Sequence, residues 1–425
     1  MPQQMLKRLW QYCHKIVQLP RALLQLKNRE FSDKNNEPLL TTILLIGMFM
    51  RLRSLHAFKL SFKNNSKFWT KLLDGQEPPS ISTLGRGLAK SDVEGLANIV
   101  RESNHKFHRN KLFNSLDKSQ GLYTSHGLMV AAVDGHETFS SEKRCCPACL
   151  TREKIVDNKP VTEYYHRYSV CQLILCSVPV IIDIEPLQPG EGELTASKRL
   201  IKRILTLQPR RVDVFVFDAL YSDASLLNTL EQSNKFWVTV LKQENRDAYK
   251  DIQNLISKHS PIITHMNKRE IELWDFHERV SWNNLDKPFR AVASVEKKLK
   301  WVRVSKETKK KVEETTKWIW LTNMPSIYKP TVIWKFGHAR WDIENRGFRE
   351  LATNCAFDHP FYHHPNALLA MMWIIALAFN LSYVFFERNL KPELRARIRT
   401  RMQLAEQIRS SIREIEEPLI CRRGP

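Results

Sequence analysis

The sequence has no charge-free run of about 20 residues, the length that a membrane-spanning helix needs. Its longest apolar run, Ala367 to Val384, contains Asn380 and Ser382 and reads as a buried core helix. The N-terminus lacks the succession of basic region, apolar region and cleavage site that marks a leader, so secretion is not expected. No internal repeat is visible, and the one Cys-x2-Cys has no complete second copy. Acidic residues are in deficit: 45 Asp and Glu stand against 66 Lys and Arg, a formal charge of +21. Such an excess repels itself unless a polyanion is near, and nucleic acid is the commonest such partner. What is present, 43% hydrophobic and 26% charged residues, describes a soluble folded protein rather than a disordered one. The length of 425 residues favours two or three domains.

Residues 1–115 read as helical and basic, a domain for DNA binding or for dimerisation. Within it, Pro78-Pro79-Ser80-Ile81-Ser82-Thr83 marks a break followed by a helix start. From residue 125 the pattern changes. Leu128 to Val133 is a short apolar run ending on Asp134-Gly135, and Tyr168–Cys176 with Pro179–Ile184 suggests a hairpin. Helical spacing over Thr195–Leu207 precedes Val212–Phe217, a strand ending on Asp218, then a helix over Ser222–Gln232 and a strand over Phe236–Leu241. This order predicts a mixed α/β sheet over 125–242. Residues 243–330 carry strand-like pieces (Ile271–Phe276, Phe289–Glu296, Trp301–Ser305, Lys317–Leu321) and read as a β-rich insertion subdomain. The α/β part resumes over 331–385, and 386–425 is a basic C-terminal helix and tail.

Strand carboxyl ends are where α/β sheets place their sites. Asp134 and Asp218 each follow an apolar strand, and an acid there is costly unless it is paired or bound to metal. Glu344 lies on a later helix, with Arg340 four residues before it on the same face. Three such acids suit a pair of Mg²⁺ or Mn²⁺ ions about 3.5–4 Å apart, which clamp the attacking and leaving oxygens of a phosphoryl transfer.

Val133-Asp134-Gly135, Phe217-Asp218-Ala219-Leu220-Tyr221 and Arg340-Trp-Asp-Ile-Glu344-Asn-Arg346-Gly-Phe348 resemble the three acidic motifs of DDE-type insertion-sequence transposases. The resemblance covers roughly residues 125–385. It implies a ribonuclease H-like catalytic core with a β-rich insert before the Glu, a catalytic and metal-binding triad of Asp134, Asp218 and Glu344, and two Mg²⁺ or Mn²⁺ ions. It further implies double-stranded DNA as partner (transposon terminal repeats and target), a homodimer in a synaptic complex, and a cytoplasmic, nucleoid-associated bacterial protein with no membrane role. One pattern of the group, Tyr-x2-Arg-x3-Glu-x6-Lys, is broken, because Gly337 and Leu351 stand at the Tyr and Lys positions. Arg340, Arg346, Arg349 and Lys335 are the nearby residues that could contact DNA. Two alternatives share the core: a transposase-derived DNA-binding regulator that does not cleave, and a stand-alone structure-specific nuclease.

Other acids compete near the motifs: Asp183, Glu185, Glu191, Glu193, Asp213, Asp223 and Asp342. Glu193 is the most credible of them, as a helix start first and a metal neighbour second. Among eight cysteines only Cys145, Cys146 and Cys149 cluster. They read as unliganded thiols in a long hairpin; a structural Zn²⁺ on these three and His166, with Cys171 a further option, is the other reading. Trp274, Trp282, Trp301, Trp318 and Trp320 read as subdomain core before they read as base-stacking platforms. Lys306–Lys311 reads as a solvated loop, and Phe361-Tyr-His-His-Pro365 as local packing or DNA-facing polar groups. The basic stretch Arg395–Arg413 either is a solvated amphipathic helix or binds DNA or a second subunit.

Overall fold

The computed structural model describes residues 5–26, 36–114, 125–143, 145–242, 247–266, 269–277, 282, 284–303 and 309–412. The Trp301 side chain, residues 304–305 of the expected Trp301–Ser305 strand, residues 306–308 of the Lys-rich stretch, Arg413 and Cys421 lie outside the described part.

Helices α1 (Met5–Val17), α2 (Leu19–Leu23), α3 (Glu37–Phe49), α4 (Leu55–Asn64), α5 (Ser66–Leu72), α6 (Ile81–Lys90) and α7 (Val93–Arg109) make the N-terminal part. Side-chain caps set several of their starts. Asn36 accepts from the Leu39 amide at 3.0 Å, Ser80 from Thr83 at 3.1 Å and Asp92 from Gly95 at 2.8 Å. Each such cap contributes about 1 kcal/mol.

Then come β1 (Val130–Ser141), β2 (Leu150–Val156), β3 (Lys159–Ile174), β4 (Ile181–Pro186), α8 (Glu193–Leu207), β5 (Val214–Phe217), α9 (Ala224–Gln232) and β6 (Phe236–Val240). They are followed by α10 (Asp247–Lys258), β7 (Ile262–Met266), β8 (Arg269–His277), β9 (Arg290–Arg303) and β10 (Lys309–Thr322). The chain ends in α11 (Pro330–Ala339), α12 (Arg349–Cys355), α13 (Pro365–Arg388), α14 (Pro392–Arg397) and α15 (Arg401–Ser411).

The strands form one 10-stranded mixed sheet in the order β4-β3-β1-β5-β6-β10-β9-β8-β7, with β2 beside the outer half of β3. The pairs β1–β5 and β5–β6 are parallel, and the other pairs are antiparallel. Val214-Phe-Val-Phe217 is buried throughout, the pattern of a central parallel strand covered on both faces. This mixed α/β arrangement is consistent with a ribonuclease H-like fold.

Three elements differ from the sequence reading. β1 does not stop at Asp134 but runs to Ser141, because it leaves β5 after Ala132 while keeping β3 as partner. The expected piece at 289–296 and the described part of the one at 301–305 join into the single strand β9 (Arg290–Arg303). The strands of 243–330 continue the main sheet, since β10 pairs with β6 through Trp320↔Val240 and Thr322↔Val238.

α13 is apolar on nearly every face because nearly every face is covered, by α3, α6, α7, α12 and α15 and by β4. Asn380 in its middle is no flaw. Its amide donates to Ile181 O (2.9 Å) and Asn104 Oδ1 (3.1 Å), and its oxygen accepts from Ile181 N (2.8 Å), tying α13 to β4 and α7. Asp183 on β4, with no exposed surface, accepts from Arg101 of α7 at 3.0 Å and Arg203 of α8 at 2.7 Å. Glu185 and Glu191 accept from Arg199 at 2.8 and 2.5 Å. The helical and sheet parts therefore share one continuous hydrophobic cluster laced by buried ion pairs.

Candidate active site

Two parallel strands bring the first two acids together. Val130 pairs with Val214 and Ala132 with Val216, and Asp134 and Asp218 each follow two residues beyond that last pair, near enough for the Asp218 charge to act on Asp134. Adjacent strands lie about 4.8 Å apart, and level residues of a parallel pair point to the same face. Asp218 follows β5 and caps the 3-10 turn Ala219–Tyr221, accepting from the Leu220 amide at 2.9 Å. Its backbone carbonyl accepts from Thr239 Oγ1 at 3.0 Å, which fixes the strand end against β6.

The third acid arrives from the C-terminal part. Ile343–Phe348 is a π-helical turn between α11 and α12, a local irregularity often found at functional sites. Arg340, 8% exposed, forks across the gap. Its Nη1 donates to Asp134 Oδ2 at 2.8 Å and its Nη2 to Glu344 Oε1 at 2.9 Å. One guanidinium thus joins residues of the sheet and of the π turn, and its face packs on the Trp341 ring at 4.5 Å. Asp134 is pushed up to about 6, chiefly by burial; Arg340 opposes this, while the charges of Glu193 and Asp218 add to it.

Glu193 completes the cluster. It opens α8 and is buried, with its Oε1 accepting from Tyr221 Oη at 2.8 Å. Arg167 Nη2 approaches Oε2 at 2.5 Å as an ion pair without hydrogen-bond alignment, leaving that oxygen without a hydrogen-bond donor. A Cβ on Gly135 would stand 1.9 Å from Glu193 Oε2, so only glycine lets the acid approach the strand beside Asp134. Burial is the main cause holding the Tyr221 hydroxyl well above its ordinary value, and the Glu193 charge adds to it. His136, two residues beyond Asp134, was not singled out from sequence. It stacks on Phe348 (4.5 Å between ring centres) and bonds Asp358 at 2.6 Å.

Residues 189–381 match the transposase DDE domain family. The chain carries a DDE-type transposase domain. Asp218, Arg340 and Glu344 fall inside the matched segment and Asp134 precedes it, joined to that segment by its contact with Arg340. No curated protein matches the chain.

The broken motif positions of the transposase domain have a packing reason. A Cβ at Gly337 would lie 2.1 Å from Trp320 Nε1, and Leu351 has no exposed surface, so neither a Tyr nor a DNA-reaching Lys fits. Among the basic residues near the motif, Arg346 turns away to the carbonyls of Cys176 (3.0 Å) and Ser177 (3.4 Å). Arg349 is exposed, and Lys335 is half-buried on α11, where burial lowers its ammonium from the ordinary value. The other acids are occupied elsewhere. Asp213 accepts from Met129 N at 2.8 Å, Asp223 caps α9, and Asp342 lies beside Arg346. Trp274 and Trp320 are buried, Trp318 stacks on Trp320 and Trp282 packs on Phe289, which makes these four part of the core.

In the basic C-terminal stretch Arg395, Arg397 and Arg399 are exposed, whereas α15 is packed through Leu404, Ala405 and Ile408. α15 begins with a Thr400–Gln403 capping box, Arg401 pairs with Glu350, and Arg409 donates to Met50 O at 3.0 Å.

The cysteines regroup. Cys146, Cys149, His166 and His363 place their ligand atoms within 4.8 Å of one another. Cys145 is exposed outside this group, and Cys171 is buried in the sheet outside it. His363, read from sequence as local packing or a DNA-facing group, is the member that sequence reasoning missed.

Proposed function

We propose that this chain cleaves DNA at transposon ends and joins them to target DNA, with Asp134, Asp218 and Glu344 as the acids that carry the reaction. The observation behind this reading is the Arg340 guanidinium that joins Asp134 of the sheet to Glu344 of the π turn, with Asp218 near enough for its charge to act on Asp134, inside or beside a transposase DDE domain. The donor set fits divalent metal: carboxylate oxygens are hard anionic ligands, and the buried Glu193 Oε2 has no hydrogen-bond donor. Asp134, Asp218 and Glu344 would hold two Mg²⁺ or Mn²⁺ ions, with Glu193 beside them. When bound, such ions activate the attacking oxygen and stabilise the leaving one.

The chain's own residues orient the reaction. Asp134 is held within β1 by its pairing with Val170 of β3, and Asp218 is held just after β5 by its cap on the following turn. Arg340 holds Glu344 against Asp134 and offers its planar fork to a non-bridging phosphate oxygen as the pair loosens. In the first step water bonds to phosphorus as the 3′ oxygen leaves, freeing a 3′-hydroxyl at the transposon end. In the second, that hydroxyl bonds to a target phosphorus as a target 3′ oxygen departs. The substrate is double-stranded DNA, and the +21 charge favours its phosphates. A synaptic homodimer holding two ends is the working assembly.

The test is a cleavage and strand-transfer assay on duplexes carrying the element's own ends, with and without Mg²⁺. Asp134→Ala, Asp218→Ala and Glu344→Ala should each abolish strand cleavage and leave end binding measurable by gel shift. Retained cleavage by one variant removes that acid from the triad. Cleavage without joining in the wild type indicates a nuclease, and binding alone a regulator.

A further inference from the structure

Besides the carboxylates, Cys146, Cys149, His166 and His363 form a second cluster, and we propose that it is a structural Zn²⁺ site. The four come from three separated segments: the loop after β1, the strand β3, and the loop that leads into α13. Cys149 Sγ lies 3.6 Å from Cys146 Sγ, 3.3 Å from His166 Nε2 and 3.6 Å from His363 Nε2, and Cys146 Sγ lies 3.5 Å from His166 Nε2. A tetrahedral Zn²⁺ with its usual bonds to sulfur and nitrogen spaces its ligand atoms about 3.3–3.8 Å apart. These four separations fall in that range, and all four ligand atoms lie within 4.8 Å of one another. The 3.6 Å between the sulfurs is far too long for a disulfide.

The backbone around the cysteines is shaped for a thiolate ligand. Cys146-Pro-Ala-Cys149 closes a turn in which Cys149 N donates to Cys146 O at 3.0 Å, and Cys146 N donates to Cys149 Sγ at 3.2 Å. Phe139 packs its ring on His363 at 5.2 Å, and His166 and Cys149 are buried, so the imidazoles and the inner thiol are held in place. Two cysteines and two histidines fill all four positions, which is the make-up of a closed structural site rather than a catalytic one with an open corner. Zn²⁺ takes cysteine as thiolate and histidine as neutral imidazole, so its occupancy here would depend on pH. The ion would pin the outer end of the β1–β3 hairpin, whose inner end carries Asp134, to the segment between the Glu344 turn and α13. It would thereby help hold the two halves of the acid cluster in register.

The site is tested on full-length protein purified under reducing conditions without chelator. Elemental analysis should find about one zinc per chain, and replacing zinc by Co²⁺ should give the intense tetrahedral d–d bands and the thiolate charge-transfer band of an S2N2 site. Cys145→Ser and Asp134→Asn should keep the ion, whereas Cys149→Ser and His363→Ala should lower its occupancy from about one to below about a tenth. The wild-type cobalt spectrum does not depend on any variant folding. Absence of both zinc and a tetrahedral cobalt spectrum in the wild type overturns the site. So does zinc that survives in Cys149→Ser with His363→Ala, or that is lost in Asp134→Asn.

Discussion

Replacing Asp134 by Asn should stabilise the metal-free protein at neutral pH while removing its activity. The Asp134 carboxyl is raised from its ordinary 3.8 to about 6, first by burial and then by the charges of Glu193 and Asp218, which outweigh the help from Arg340. Each tenfold change in proton affinity corresponds to about 1.4 kcal/mol, so the charged side chain costs the folded, metal-free state about 3 kcal/mol. The sign follows from the raised value. Between the unfolded value, about 4, and the folded value the native state keeps a proton that the unfolded chain has released. The stabilisation from that proton is fully present below about pH 4 and is lost as pH rises through about 6. Asn carries no charge at any pH. The difference in melting temperature between Asp134→Asn and wild type in EDTA should therefore be near zero at pH 4 and grow to about 3–6 °C by pH 7.5. Adding Mg²⁺ at pH 7.5 should raise the wild type and move the variant much less, because only ligand bound to the native state stabilises it. A variant no more stable than wild type at pH 7.5 in EDTA would refute the claim that this carboxylate is held at an energetic disadvantage until a cation arrives.

Arg340 lowers the Asp134 value, so Arg340→Ala should shift the acidic limb of the pH–cleavage profile toward higher pH as well as reduce the rate; an unmoved limb argues against the contact. Gly135→Ala places a methyl 1.9 Å from the present position of Glu193 Oε2 and should lower cleavage of end duplexes at least about tenfold with little change in melting temperature. Equal rates would show that Glu193 is free to move aside without consequence. Gly337→Ala, whose new Cβ meets Trp320 Nε1 at 2.1 Å, should destabilise the fold by about 1–3 kcal/mol in urea unfolding. Arg101→Ala strips one partner from the wholly buried Asp183 and should cost about 3–5 kcal/mol by the same measurement.

Much of the sheet was legible because local pattern controls it. β5 and β6 are short, continuous apolar runs, and the apolar run from Ala367 is the helix that every neighbour packs against. Asp134 and Asp218 were visible as acids beside such runs. The length of β1 was not, because strand pairing with β3 carries it past the apolar segment into a half-exposed hairpin. The same holds for 243–330, where the strand-like pieces are readable but their pairing onto β6 is a non-local choice.

The sequence by itself determined which segments are buried, where acids follow strands, and that the chain carries a large positive charge, since these depend on residue type and spacing alone. Tertiary structure decided which side chains meet. It brought Asp134 within reach of the Asp218 charge and of Arg340, turned Arg346 onto backbone carbonyls, and set Glu193 beside Gly135 rather than another of the competing acids. It also put His363 in place of Cys145 beside Cys149, from more than 200 residues away. Spacing reveals partners within a helix or hairpin, where geometry repeats every few residues. Contacts between separate elements are fixed by how whole faces pack, and a linear spacing does not record that.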